Sequence, residues 1–178
     1  DNEVFNGQAA LNIPLIEGKL GVRVAGVYDQ NFSNNVQNLN TGTDDPEQDT
    51  QSGRISIGWA PTDSLRANFT WQNLDRSTDD IKGLDGIDGL GERPTLRADD
   101  RRSLSGTDDF TDFDFDIYNM DLNWETDSHQ LSAVLGYVDS TKTSRQENDR
   151  ADYIEIDEAL TTQGTTTAVE AITAEVRF

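Results

Sequence analysis

The chain has 178 residues, enough for one domain with a sizeable core, and sets 34 Asp and Glu against 14 Lys and Arg for a formal net charge of −20. That balance argues against nucleic acid as a partner, because phosphate binding needs clustered Lys and Arg, and the absence of Cys excludes a disulfide framework and a thiolate metal centre. No run of 18 apolar residues exists, which excludes a transmembrane helix but not a transmembrane β-barrel, whose strands are short, alternating and weakly hydrophobic one by one.

What apolar character the chain has is concentrated in short runs of period two, the signature of strands with one apolar face. In chain order these are roughly 7–16 (GQAALNIPLI), 19–30 (KLGVRVAGVYDQ), 52–61 (SGRISIGWAP), 65–75 (LRANFTWQNLD), 115–125 (FDIYNMDLNWE), 129–142 (HQLSAVLGYVDSTK) and 166–178 (TTAVEAITAEVRF). Within them Leu11, Ile13 and Leu15, then Leu20, Val22 and Val24, then Ile55, Ile57 and Trp59 recur at every second position. The positions between are polar: Asn12, Arg23, Arg54, Ser56, Arg66, Asn68, Thr70, Asn119, Asp121 and Asn123.

The connections alternate between short and long. EGK at 17–19, TDS at 62–64 and TDS at 126–128 read as tight turns, whereas about 31–51, 76–114 and 143–165 read as long acidic loops. Compact domains rarely repeat structureless loops of this length, but outer-membrane barrels pair short periplasmic turns with long extracellular loops. In a soluble sandwich the apolar positions would form the core; in a barrel they would face lipid and the polar ones a wet interior. Trp59 and Trp124 fall on the apolar face just before short turns, where a periplasmic aromatic girdle belongs. Tyr28 lies near the far end of its strand, and Trp71 and Tyr137 are counted with it as girdle aromatics. The expected fold is therefore all-β, an antiparallel up-and-down transmembrane barrel segment of about seven strands. With short turns taken as periplasmic, an odd strand count leads one to expect a piece of a larger, even-numbered barrel.

Four segments carry a resemblance to a known family. ALNIPLIEGKLGVRVAGVYDQNFSNN, SGRISIGWAPTDSLRANFTW, YNMDLNWETDSHQLSAVLGYVD and AITAEVRF resemble, in this order, three early barrel hairpins and the strand that follows them in TonB-dependent outer-membrane receptors. The resemblance covers nearly the whole chain and implies roughly the second to the eighth strands of a 22-stranded barrel. It also implies a Gram-negative outer-membrane location and active uptake of an iron–siderophore complex, haem, cobalamin or an oligosaccharide. The implied partners are outer-membrane lipid, the remaining strands, a plug domain and TonB acting through an N-terminal box; neither plug nor box is found in this sequence.

Two constellations stand apart from the strands. In STDDIKGLDGIDGLGERP, the residues Asp79, Asp80, Asp85 and Asp88 lie among glycines and offer oxygen ligands for Ca²⁺, without EF-hand spacing. A solvated acidic loop is the plainer reading. In RADDRRSLSGTDDFTDFDFD, the residues Arg97, Arg101 and Arg102 with Phe110 and Phe113 would contact a substrate through guanidinium–carboxylate pairs and stacking; the alternative is a loop whose charges satisfy one another. His129 is the only histidine and reads as a turn residue. No nucleophile–base arrangement and no phosphate-binding Gly loop is present, so no enzyme is expected. The competing reading, from a different class, is a soluble or secreted acidic calcium-binding β-module that buries the same apolar faces between two sheets.

Overall fold

The computed structural model describes residues 4–32, 37–38, 42, 47–80, 102–103, 109–147 and 162–178. They form strands β1 (Phe5–Ile16), β2 (Leu20–Phe32), β3 (Gln37–Asn38), β4 (Glu47–Thr62), β5 (Leu65–Asp80), β6 (Arg102–Ser103), β7 (Asp109–Glu125), β8 (Gln130–Glu147) and β9 (Thr162–Arg177). Seven of these make one antiparallel sheet in the order β1-β2-β4-β5-β7-β8-β9, so each long strand pairs with its neighbours in sequence. The two-residue strands β3 and β6 pair with each other in parallel, Gln37 opposite Arg102 and Asn38 opposite Ser103. No helix occurs among the described residues.

The seven expected strands are all present, and each is longer than its apolar alternation. β4 begins at Glu47, β5 runs on to Asp80, β7 begins at Asp109, β8 continues to Glu147 and β9 begins at Thr162. The expected loops at 31–51, 76–114 and 143–165 are shortened accordingly at their ends. Stretches such as EQDTQ are polar and acidic throughout, so hydrophobic periodicity cannot mark them, and in TDFDF the alternating Phe113 and Phe115 fall on the face opposite the Tyr118–Trp124 alternation. What holds them is the ladder itself, which continues residue by residue from Leu65 opposite Trp124 to Asp80 opposite Asp109.

The short turns fall where expected. Glu17–Lys19 closes β1 onto β2, with the Lys19 N–H donating to the Ile16 carbonyl at 3.0 Å. Gly18 takes a φ of +68°, a left-handed conformation that a side chain disfavours. Thr126 and His129 close the last turn: the Thr126 N–H donates to the His129 carbonyl at 2.8 Å and the His129 N–H donates to Thr126 Oγ1 at 3.1 Å. His129 is thus a turn residue, exposed and hydrogen-bonded to Ser128 at 2.7 Å. Pro14 and Pro61, which cannot donate to a ladder, lie at the register shifts between Pro14 and Ile16 and between Trp59 and Thr62.

The sheet is a single layer. Among the described residues only Asn38, Thr50 and Asp109 are buried, and no apolar side chain is. A Gly18→Ala substitution is expected to cost about 1 kcal/mol from the left-handed backbone alone. It should lower the urea midpoint without changing the slope of the transition.

Candidate membrane-facing surface

Because side chains alternate and the register is continuous, one row of hydrogen-bonded partners can be followed across all seven strands. Leu11 lies opposite Val24, Val24 opposite Ile55, Ile55 opposite Trp71, Trp71 opposite Tyr118, Tyr118 opposite Tyr137 and Tyr137 opposite Ile172. The next row towards the short turns is Ile13, Val22, Ile57, Phe69, Met120, Leu135 and Ala174. The row after that holds Leu20, Trp59, Ala67, Leu122, Ala133 and Val176, and Leu65, Trp124 and Leu131 follow. These rows form one apolar belt on one face. From Trp124 to Tyr118 it extends about 20 Å along the strand.

The belt is exposed. Leu135 is 50% accessible, Trp59 46%, Met120 44% and Ile172 74%. A contiguous apolar surface of this extent marks contact with something apolar, a lipid or a partner.

Aromatic residues mark both limits. Trp59 and Trp124 lie at the turn end. Trp71, Tyr118 and Tyr137 lie side by side in the far row, with the two tyrosine rings 5.9 Å apart. The Trp71 indole N–H donates to Asp116 Oδ1 at 2.8 Å, so its polar edge points away from the belt. On β1 and β2 the apolar stretch runs further, to Phe5 and Tyr28, whose rings meet at 5.8 Å. Tyr28 donates to Asp49 at 3.3 Å. The five aromatics singled out in the sequence thus share one face, and Tyr118 joins them.

The opposite face at the turn end is polar and satisfies itself across strands. Arg23 donates to Asn12 at 2.9 Å, Thr70 to Ser56 at 3.4 Å and Ser132 to Asn123 at 2.9 Å. The register also distributes charge unevenly in a way composition does not reveal. Beyond the aromatic row, Asp49, Asp75, Asp112, Asp114, Asp116, Asp139 and Glu170 share the belt's face, where Arg145 is the only base among the described residues. Arg23, Arg54, Arg66, Arg76, Lys142 and Arg177 all take the other face.

The two sequence constellations are only partly covered by the described residues. Phe110 and Phe113 belong to strand β7 and lie three residues apart, which sends them to opposite faces. Phe110 lies under the Arg145 guanidinium, 5.0 Å from the ring centroid, whereas Phe113 stacks on Phe115 at 5.8 Å. The structure therefore does not bring these two rings into one stacking site. The backbone of Arg102 pairs in β6; Arg97 and Arg101 lie outside the described residues. Asp79 and Asp80 are the last two residues of β5, so they belong to a strand, not to a glycine-rich turn, and Asp85 and Asp88 lie outside the described residues. No group of three or more potential metal ligands occurs among the described residues.

No protein-family model matches the chain, and neither a curated protein nor a solved structure does.

Asp114, four residues past Tyr118 and outside the belt, is held above the ordinary carboxylate range. The first cause is its hydrogen bond with Asp75 in the facing strand; burial and the charges of Asp75, Asp112 and Asp116 add to it. A raised pKa means that the folded state holds this proton more tightly than the unfolded one. Stability is then lost as pH rises through that range and the like charges are exposed to each other. Replacing Asp114 by Asn should raise the urea midpoint at pH 7, with the gain shrinking towards pH 3, where the native carboxyl is already protonated.

Proposed function

We propose that this chain is part of the barrel wall of an outer-membrane transport receptor of the TonB-dependent kind. In this reading the apolar belt faces lipid, the polar face lines the interior, and the acidic ends of the strands project to the cell exterior. The observation that carries it is the register: on all seven long strands the apolar residues next to the short turns fall on one uncovered face, with Trp59 and Trp124 at its turn end and Trp71, Tyr118 and Tyr137 at the other. Two features support it further. The chain leaves and re-enters the sheet across its long connections, from Phe32 to Glu47, Asp80 to Asp109 and Glu147 to Thr162, always at the end away from the short turns. The apolar stretch also slants across the rows, reaching Phe5 and Tyr28 on β1 and β2 but stopping at Tyr118 and Tyr137 on β7 and β8. Strands tilted to a membrane normal produce such a slant, because hydrogen-bonded rows run perpendicular to the strands and the bilayer plane does not.

The reading demands partners. β1 and β9 end the sheet, and a backbone edge with open N–H and C=O groups is not tolerated in hydrocarbon. Further strands would pair there and a plug would fill the interior. The cargo class is an iron–siderophore complex or another scarce nutrient, bound by contacts and moved without covalent chemistry. The three hairpins and one strand that resemble this family support the assignment. The competing calcium-binding module would bury the belt between two sheets, and no second sheet covers it among the described residues.

A charge on either face distinguishes the two. Leu135→Arg, in the middle of the belt, should weaken insertion into phospholipid vesicles by about 2–4 kcal/mol, whereas Thr70→Arg on the opposite face should change it little. The measurement is urea-dependent insertion followed by tryptophan fluorescence. Recovery of the wild-type chain from cells in detergent-free soluble extract would overturn the proposal.

A further inference from the structure

Just beyond the aromatic row, on the face that carries the belt, the sheet is bare across three strands. Ala9 lies opposite Gly26 and Gly26 opposite Gly53, while Gly7 takes the next position on β1, opposite Tyr28. The result is a hollow about 10 Å across. The Tyr28 ring walls it, and Gln51, Asn73 and Asp75 stand at its rim.

Local structure does not demand these glycines. None of the three takes a positive φ. The ladder runs through them without a shift, so they do not mark a bulge. Nor does packing require them: a Cβ on Gly53 would meet nothing within 4 Å, one on Gly7 would come 3.6 Å from Phe5, and one on Gly26 would come 3.8 Å from the Ser52 carbonyl. Gly136 is the contrast, because there a Cβ would strike Thr173 Oγ1 at 2.6 Å. A glycine inside a strand costs backbone entropy and packs nothing, and it marks a bulge, a bend at a barrel corner, or the close approach of a ligand or another backbone; the unbroken ladder removes the first, and the polar rim around the hollow fits a ligand.

The rim defines that molecule. Tyr28 offers a flat apolar face, while the amides of Gln51 and Asn73 each supply donors and an acceptor, and Asp75 accepts. A cation would use only the acceptors. An anion would meet Asp49, Asp75 and Asp114 on the same face. A neutral hexose uses all of them: its C–H face packs on the ring, and its hydroxyls both donate and accept. We infer that the hollow floored by Gly7, Gly26 and Gly53 binds a neutral hexose, either as a free saccharide or as the headgroup of a glycolipid. The inference concerns the outside of the sheet and needs no transport activity.

The test is saturation-transfer NMR on the whole chain in lauryldimethylamine oxide micelles, which contain no sugar. One arm adds methyl glucoside, galactoside or mannoside; the other dopes the micelles with monohexosyl diacylglycerol. The expected result is transfer to the hexose ring protons that falls about tenfold in Gly53→Leu and in Gln51→Ala, and is retained in Asn68→Ala on the other face. Transfer confined to the first arm identifies a free saccharide, and transfer confined to the second identifies a glycolipid; both support the site. Gln51→Ala keeps the test decisive if Gly53→Leu does not fold. The inference is overturned if no hexose receives transfer in either arm. It is equally overturned if transfer is unchanged in Gln51→Ala, or if choline chloride displaces the hexose at equal concentration.

Discussion

Everything in this sheet depends on an unbroken register. In a strand the side chains alternate without exception, so pairing one residue with another assigns both neighbours' faces at once. From β2 to β9 no shift occurs between the aromatic row and the acidic rows. A slip of one residue anywhere would turn Leu and Trp to the polar side and Arg to the apolar one. The two small shifts, at Pro14 and Pro61, lie outside this region and next to short turns, where little follows that they could displace.

The same register arranges a heavily acidic chain so that its charges do least harm. Carboxylates that share the belt's face are stacked beyond the aromatic row, where strands continue with no apolar surface to cover. There they meet each other directly, as in Asp75 and Asp114, or are satisfied by neighbours, as in Asp112 with Ser77 at 2.6 Å. Apart from Arg145, the described guanidinium groups of the seven-stranded sheet are kept to the opposite face, where Arg23 reaches Asn12 and Arg76 reaches Thr50. Most of the basic groups are thus separated from the acidic rows by the thickness of the sheet, while Arg177 pairs with Glu175 on its own face at 2.5 Å. The apolar belt is free of both.

The apolar halves of the strands and their turns were legible in the sequence because alternation, Gly and Asp-Ser clusters carry the signal directly. Trp59 and Trp124 could be set at the edge of a belt from their positions before turns. The polar halves were not legible. Thr, Asp and Gln at alternate positions look the same in a strand as in a solvated loop, so Asp79 and Phe110 read as loop residues, and Phe113 alternates with Phe115 and Ile117 on the face opposite the Tyr118–Trp124 alternation, outside the belt's pattern. The charge separation was present in the parity of Asp112, Asp114 and Asp116 relative to Tyr118, but it becomes visible only when β7 is known to continue that far. The bridge between β3 and β6 had no signal at all, since two residues carry no periodicity. The hollow over Gly26 and Gly53 needs three strands side by side before it exists.

The strictly sequential strand order sets the unit by which such a wall can change. Insert one residue within a strand, and all that follows in it swaps faces. Insert one strand, and every later turn moves to the other end of the sheet. A hairpin with its tight turn, such as β4 with β5, can be duplicated or lost without either inversion. The wall is therefore modular in steps of two strands, and growth or shrinkage by whole hairpins is the only length variation that leaves both its faces and both its ends in place.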